Sequence, residues 1–162
     1  MDQRELGVCE GVEHIMDSSK LKKILEKYFK RVSKKLKLDL VFLYGSWAHG
    51  KQRRISDVDI AVLFSDEHTD EEKMLDVIGK ISVDLSELLG LEVNILRLKK
   101  EFDHPMVYYN ASVKGIPVYV KNKDLCDRYL FESIAQMEDF CLFGTAWQIL
   151  ASKVNLRRIK NA

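Results

Sequence analysis

The chain has 162 residues, a length that allows one domain with a hydrophobic core of ordinary size. Hydrophobic residues make up 46% and charged residues 31% of it, which excludes a disordered chain, and no apolar stretch approaches the roughly 18 residues that span a bilayer. The 26 basic residues nearly balance the 25 acidic ones, so charge gives no reason to expect direct nucleic-acid binding.

The first predicted elements are one helix and two strands. Ser18 or Ser19 can cap a helix whose apolar residues recur at spacings of three and four, with lysines on its outer face. Apolar runs at residues 40–44 and 58–64 predict two strands. The apolar residues of the helix are Leu21, Ile24, Leu25, Tyr28, Phe29 and Val32.

The next segment predicts an amphipathic helix and a third strand. Thr69 and Glu72 have the spacing of a capping box, and Gly90 is placed to end the helix. Residues 91–98 follow as a strand. Between the two caps the apolar residues keep a helical spacing: Met74, Val77, Ile78, Ile81, Leu85, Leu88 and Leu89.

The following segment predicts a short helix and an edge strand. Pro105 opens a helix that runs through Ser112, and Gly115 ends it. Residues 116–120 then form a strand, and Pro117 indicates an edge position because proline cannot donate to a neighbouring strand.

The C-terminal part predicts a long helix from residue 124 to about residue 151, with Gly144 as a candidate break. No internal repeat or low-complexity linker separates it from the preceding segments. We therefore expect the terminal helices to pack onto the same domain. Tyr108, Tyr109 and Trp147 are expected to fill a core or an interface, as aromatic residues at helical positions usually do.

A cytoplasmic location is expected. The N-terminus lacks the pattern of a signal peptide. Cys9, Cys126 and Cys141 are odd in number and far apart, without a paired metal-binding spacing, which agrees with reduced thiols.

One constellation indicates chemistry: Gly45 and Ser46, then ten residues, then Asp57 and Asp59, set between the first two predicted strands. Successive side chains of a strand point to opposite faces, so the two aspartates, two residues apart, share a face. Magnesium prefers oxygen ligands and takes one or two carboxylates together with substrate phosphates. The pair therefore suits a nucleoside triphosphate better than a closed metal cage.

Gly45 and Ser46 supply the phosphate side of the same site. A glycine that ends a strand allows a tight turn and a close approach of the backbone to a phosphate. The following amides and the Ser46 hydroxyl can donate hydrogen bonds to phosphate oxygens, most effectively at a helix N-terminus.

Residues 44–60, with the sequence YGSWAHGKQRRISDVDI, resemble the signature of the DNA polymerase beta-like nucleotidyltransferase superfamily. Within it the chain is most similar to the minimal nucleotidyltransferases (MNT), the antitoxins of HEPN/MNT toxin–antitoxin pairs. The resemblance covers residues 21–120, including residues 91–98 and 114–119 as the third and the closing strand. It implies a mixed α/β nucleotidyltransferase palm with flanking helices. The expected single domain, 1–162, has a core at about 20–121 and a C-terminal helical extension at about 124–155.

The resemblance also implies an activity. Asp57 and Asp59 would hold two Mg²⁺ ions, Gly45 and Ser46 would bind the nucleotide, and AMP would pass from ATP to a hydroxyl, tyrosine in this family. The acceptor implied is a cognate HEPN-domain ribonuclease toxin, which this AMPylation silences. The chain would then be an antitoxin in a hetero-oligomer, with no membrane partner.

Two departures from the family pattern concern the loop and the third acid. Arginines common in the loop are replaced by Trp47 and His49, so phosphate or partner contacts could move to Lys51, Arg53 or Arg54; His49 is expected to be a surface residue rather than a base. The family's third catalytic acid aligns with Asn94, and Glu92 lies on the same strand face. An amide cannot take a proton, so either Glu92 substitutes or catalysis is weakened.

Two alternatives remain open. An aminoglycoside-type nucleotidyltransferase would need an acidic cleft, for which the acidic run 66–72 is the candidate. A non-catalytic module that neutralises a toxin by masking it is favoured by Asn94.

Overall fold

The computed structural model describes residues 16–53, 56–65 and 70–160. It has the mixed α/β architecture that the sequence predicts, and its strand and helix order is the predicted one. In chain order the elements are α1 (Ser18–Leu36), β1 (Leu38–Tyr44), β2 (Val58–Phe64), α2 (Glu71–Leu89), β3 (Val93–Leu98), α3 (Pro105–Ser112), β4 (Ile116–Val120) and α4 (Lys123–Lys160).

The four strands form one sheet in the order β3-β2-β1-β4. β1 is antiparallel to β2 and to β4, whereas β2 and β3 are parallel and are joined by the crossover helix α2. The C-terminal end of β1 and the N-terminal ends of the other strands therefore lie at one edge, here called the hairpin edge. β4 is an outer strand, which confirms the prediction from Pro117.

Helices cover both faces of the sheet, which is why β1 and β2 are apolar nearly throughout. Val58, Ile60 and Val62 belong to the core under α1 and α2. Ala61 and Leu63 belong to the core under α3 and the start of α4, where Tyr108 is buried as expected. Because side chains alternate along a strand, Asp59 lies on the α3 face of the sheet.

The helix N-termini differ from the predicted ones. α1 begins at Ser18 with Asp17 at the N-cap, so the prediction of Ser18 or Ser19 as the cap is wrong. The N-cap of α2 is Asp70, whose carboxylate accepts a hydrogen bond of 3.2 Å from the Glu72 amide. Thr69, the predicted cap, lies outside the described residues. The C-terminus of α2 is as predicted, with Gly90 in the left-handed conformation.

Gly115 serves a close approach rather than the end of a helix. α3 ends at Ser112, as predicted, but its C-cap is Val113, so the prediction that Gly115 ends the helix is wrong. A Cβ atom at Gly115 would overlap the Ala111 carbonyl oxygen and lie 3.1 Å from the carbonyl oxygen of Leu43. The missing side chain therefore lets the C-terminal end of α3 approach the end of β1, at the hairpin edge.

α4 runs without a break through Gly144, contrary to the candidate break there. Its first turns pack onto the domain through Cys126, Tyr129 and Ser133, which are buried. Beyond them Phe143 and Trp147 are 73% and 63% exposed, so the expectation that the terminal helix packs onto the domain holds only for its first part. None of the helices in the described ranges combines the length and the apolarity needed to cross a bilayer.

Candidate functional site

The hairpin edge brings the motif residues together. Gly45 follows the last residue of β1, and Asp57 and Asp59 flank the first residue of β2. Asp59 is paired with Tyr44 of β1 on one side and with Asn94 of β3 on the other. The strand register therefore places the carboxylate of Asp59 between its two neighbours at the middle of the edge.

Gly45 is in close contact with Asp59. Its φ of 72° lies in the left-handed region, which a glycine adopts without strain. A Cβ atom there would overlap Oδ2 of Asp59 and would lie 3.2 Å from its Cγ and 3.3 Å from its Cβ. The glycine is thus required twice, by the turn that leaves β1 and by the position of the Asp59 carboxylate.

The Asp59 carboxylate is held in a position that is unfavourable for its charge. Burial raises its pKa most, and the neighbouring Asp57 carboxylate raises it further, while the hydrogen bond from Asn94 acts in the opposite direction. Asp57 is exposed, whereas Asp59 is half-buried. Two carboxylates that repel each other at one edge favour the binding of a cation.

Asn94 contacts the aspartate pair directly. Its Nδ2 donates a hydrogen bond of 3.4 Å to Oδ1 of Asp59. Glu92 stands just before β3, is exposed, and accepts a hydrogen bond of 2.8 Å from the Val58 amide through its backbone carbonyl. The structure therefore brings Asn94, through its side chain, closer to the site than Glu92.

Among the described residues, the candidate metal site consists of the carboxylates of Asp57 and Asp59. Within residues 16–53, 56–65 and 70–160, no three His, Cys, Asp or Glu side chains come together in a way that could hold a metal ion. Glu92 therefore does not complete a cluster of three acids with Asp57 and Asp59. The hard oxygen ligands that are present suit Mg²⁺, which takes its remaining ligands from water and phosphate.

The loop after Gly45 is a series of turns rather than the start of a helix. Residues 45–50 form turns, so the amides that follow Gly45 do not belong to a helix N-terminus. The Ser46 carbonyl accepts a hydrogen bond of 2.9 Å from the Lys51 amide, which curls the loop back on itself. The Ser46 hydroxyl makes no hydrogen bond to any described residue and remains available to a ligand.

Trp47 and His49 hold this loop in place. Trp47 is 4% exposed, packs in the core under α1 and α2, and donates from Nε1 to the Ser56 carbonyl at 3.0 Å. His49 donates from Nδ1 to the Gly45 carbonyl at 2.7 Å, because a carbonyl can only accept. At these two positions the chain has residues that fix the loop backbone, and His49 is exposed as expected.

The charged segments that the sequence singles out lie in different places. Lys51 and Arg53 are exposed on the loop, while Arg54 lies outside the described residues. Asp70, Glu71 and Glu72 follow the far end of β2, whose last residue, Phe64, lies five residues after Asp59. Residues 66–69 of the acidic run are not among those described, and its described part lies away from the hairpin edge.

Tyr44 is a site residue that the sequence reasoning missed. It is half-buried opposite Asp59, and both burial and the Asp59 charge raise the pKa of its hydroxyl. Its place at the end of β1, directly before Gly45, could have indicated it, because Leu40, Phe42 and Tyr44 share the α3 face of the sheet.

The comparisons with known proteins match most of the chain to a nucleotidyltransferase family. The family described as Polymerase beta, Nucleotidyltransferase matches residues 19–124. A protein of Methanocaldococcus jannaschii named as protein adenylyltransferase MJ1379 is 33% identical over 103 residues, which cover 63% of this chain and 96% of that protein. A second one from the same organism, named as protein adenylyltransferase MJ1217, is 28% identical over 104 residues, covering 63% of this chain and 96% of its own length.

Two solved structures share the fold. A crystal structure of a toxin–antitoxin with AMP-PNP matches with a TM-score of 0.61 and 20% identity, covering 75% of this chain and 93% of that one. A structure of the tri-AMPylated Shewanella oneidensis HEPN toxin in complex with MNT antitoxin matches with a TM-score of 0.57 and 16% identity, covering 77% of this chain and 93% of that one. At these identities the likeness establishes the fold.

We predict that Asp59→Asn makes the metal-free protein more stable at pH 7. The raised pKa of Asp59 means that its ionised form is disfavoured by folding, so the penalty is present above that pKa and disappears as the pH falls below the ordinary value of about 3.9. The amide oxygen of an asparagine can still accept the hydrogen bond from Asn94. Thermal unfolding from pH 3 to 8 measures this.

The matched control is Asp76→Asn, an exposed acid of α2, which should leave the melting temperature unchanged at every pH. If Asp59→Asn lowered stability at pH 7, Asp59 would have to be regarded as a structural acid rather than one kept for a ligand.

Proposed function

Because the chain belongs to the Polymerase beta, Nucleotidyltransferase family, we propose that it transfers AMP from ATP to a hydroxyl of a partner protein. The acceptor is a tyrosine of a HEPN-domain ribonuclease toxin, and the chain is the antitoxin that silences it. The observation that carries this proposal is the contact of Gly45 with Asp59, which holds the carboxylate pair beside the turn that leaves β1. Relatives named as protein adenylyltransferases and the fold shared with MNT antitoxins support it.

The aspartate pair fits magnesium. Asp57 and Asp59 would hold two Mg²⁺ ions, which when bound offset the triphosphate charge and lower the pKa of the acceptor hydroxyl. Three properties of the described residues support this assignment: the oxygen ligands, the positions of the two aspartates on either side of the first residue of β2, and the raised pKa that marks an uncompensated charge at Asp59.

The loop would orient the triphosphate. The Ser46 hydroxyl and the loop amides donate to phosphate oxygens, and Gly45 leaves room for the Asp59 carboxylate beside them. Trp47 and His49 fix the backbone of the loop before the nucleotide arrives, so the loop loses little conformational entropy on binding. Lys51 and Arg53 are exposed on the same loop and can reach phosphate oxygens or the partner.

The reaction exchanges a phosphoanhydride bond of ATP for a phosphoester bond to the acceptor. The acceptor oxygen attacks the α-phosphorus in line, the bond from that phosphorus to the bridging oxygen breaks, and pyrophosphate leaves. The acceptor's proton cannot pass to Asn94, because an amide has no basic site for it. It passes to water or to the exposed carboxylate of Glu92.

The proposed domain includes a helical extension beyond its core. We place residues 1–162 in one nucleotidyltransferase domain, with a core at about 20–121 and a helical extension at about 124–155. Beyond the part that the family matches, the described residues add the rest of α4. The chain would act in the cytoplasm as one subunit of a complex with the toxin.

Labelled transfer tests the proposal directly. The purified chain is mixed with the proposed partner, the helical ribonuclease encoded beside it, in the presence of Mg²⁺ and each α-labelled nucleoside triphosphate in turn. The masses of both proteins are then measured by mass spectrometry. We expect AMP on the ribonuclease, and an Asp57→Asn, Asp59→Asn double variant should lose transfer by orders of magnitude while remaining folded, because a bound metal contributes several kcal/mol to the transition state.

Label transferred by the double variant would refute the catalytic assignment. If the wild type transferred nothing yet blocked the ribonuclease at equimolar concentration, the chain would be the masking module that Asn94 allows.

A second prediction concerns the third acid. If Asn94 holds this position, Asn94→Asp should raise the transfer rate, because a carboxylate binds metal and accepts a proton where an amide does neither. Glu92→Gln should then change the rate little. If Glu92 has taken over the role, Glu92→Gln should abolish transfer and Asn94→Asp should do little or interfere. Initial rates at saturating ATP decide between the two.

A further inference from the structure

The apolar stripe of α4 that packs onto α3 continues past the end of α3. Cys126 and Ser133 are buried on this stripe, and the Ser112 hydroxyl at the end of α3 donates to that of Ser133 at 3.2 Å. Seven residues further along the same stripe lies Phe140, which is 46% exposed. The stripe is completed at spacings of three and four by Phe143, Trp147 and Leu150, which are exposed by 73%, 63% and 55%.

α4 projects past the hairpin edge. Tyr129 stacks on Phe102 near the start of α3, and Ser133 meets Ser112 at its end. The two helices therefore run in the same direction, toward the point where Gly115 meets Leu43. The exposed stripe begins where this contact stops, so the domain itself does not cover it within the described residues.

The charges along α4 are arranged antisymmetrically. Residues 124–139 contain five acidic residues and one basic residue, residues 140–152 contain no charged residue, and residues 153–160 contain four basic residues and no acidic one. A second copy aligned in the same direction would place like charges together. A copy aligned in the opposite direction would place the acidic part of each helix against the basic part of the other.

We propose that the exposed stripe joins α4 to α4 of a second copy as an antiparallel coiled coil. The seam consists of heptad positions that hold Phe140, Phe143, Trp147 and Leu150. In the antiparallel arrangement Phe140 faces Leu150 of the partner subunit, and Phe143 faces Trp147 of the partner subunit. The two-fold axis then crosses α4 at Thr145.

The position that flanks this seam carries the matching charges. Asp139 and Lys153, both exposed, occupy the same heptad position beside the seam, two heptads apart. Flanking heptad positions form ion pairs between helices in coiled coils, so each Asp139 meets Lys153 of the partner subunit, twice in the dimer.

The first test is the mass of the full chain by sedimentation velocity. The wild type should sediment at twice its 18.8 kDa, and Phe143→Glu should be a monomer with unchanged helix content. Phe131→Glu is the matched control, because Phe131 is also 73% exposed on α4 but lies off the seam. A wild type that stays monomeric up to 100 µM, or equal effects of the two variants, would overturn the proposal and assign the stripe to a different partner.

Charge reversal tests the direction. Asp139→Lys and Lys153→Asp should each raise the dimer dissociation constant about tenfold, and the double variant should return it to near the wild-type value. Glu138→Lys, the same change one residue off the flanking position, should have little effect. Single variants without effect would contradict the antiparallel coil and would point to a parallel pairing. In a parallel pair each residue faces the same residue of the other helix, so a reversed charge still faces a charge of its own sign.

Discussion

The site depends on one close approach, in which the bare Cα of Gly45 lies against the carboxylate of Asp59. Any side chain at residue 45 would occupy the space of that carboxylate, and a left-handed φ of 72° already disfavours one. The antiparallel pairing of β1 with β2 fixes the two residues at the same level, since Tyr44 is opposite Asp59. The turn and the acid that we propose to bind metal are therefore parts of one feature.

The half-buried charge of Asp59 lowers the stability of the folded protein, and contacts from neighbouring residues offset part of this loss. Burial and the Asp57 charge raise the pKa of Asp59, so the pair is unfavourable without a cation. Asn94 donates to one oxygen of Asp59, while Trp47 and His49 fasten the loop from both sides. Such a combination, with an uncompensated charge on a rigid support, is typical of a site prepared for a charged ligand.

The sequence predicted the parts of the fold that depend on local pattern. Strand β2 and helix α3 have the predicted bounds, and Gly90 ends α2, because alternation, proline and glycine act within a few residues. The caps Asp17 and Asp70 were missed since neighbouring residues compete for the same role. The bond from Asn94 to Asp59 depends on a register between distant strands, and the exposure of Trp147 depends on where α3 ends, which local patterns do not contain.

The most direct test compares two glycines of the same loop by calorimetric titration with Mg–ATP. Gly45 and Gly50 both have a left-handed φ, so alanine costs roughly 1–2 kcal/mol of backbone strain at either, but only at residue 45 does its Cβ meet Asp59. Gly50→Ala should bind Mg–ATP with near wild-type affinity, whereas Gly45→Ala should lose binding by more than about tenfold. Equal affinities for the two variants would contradict the account.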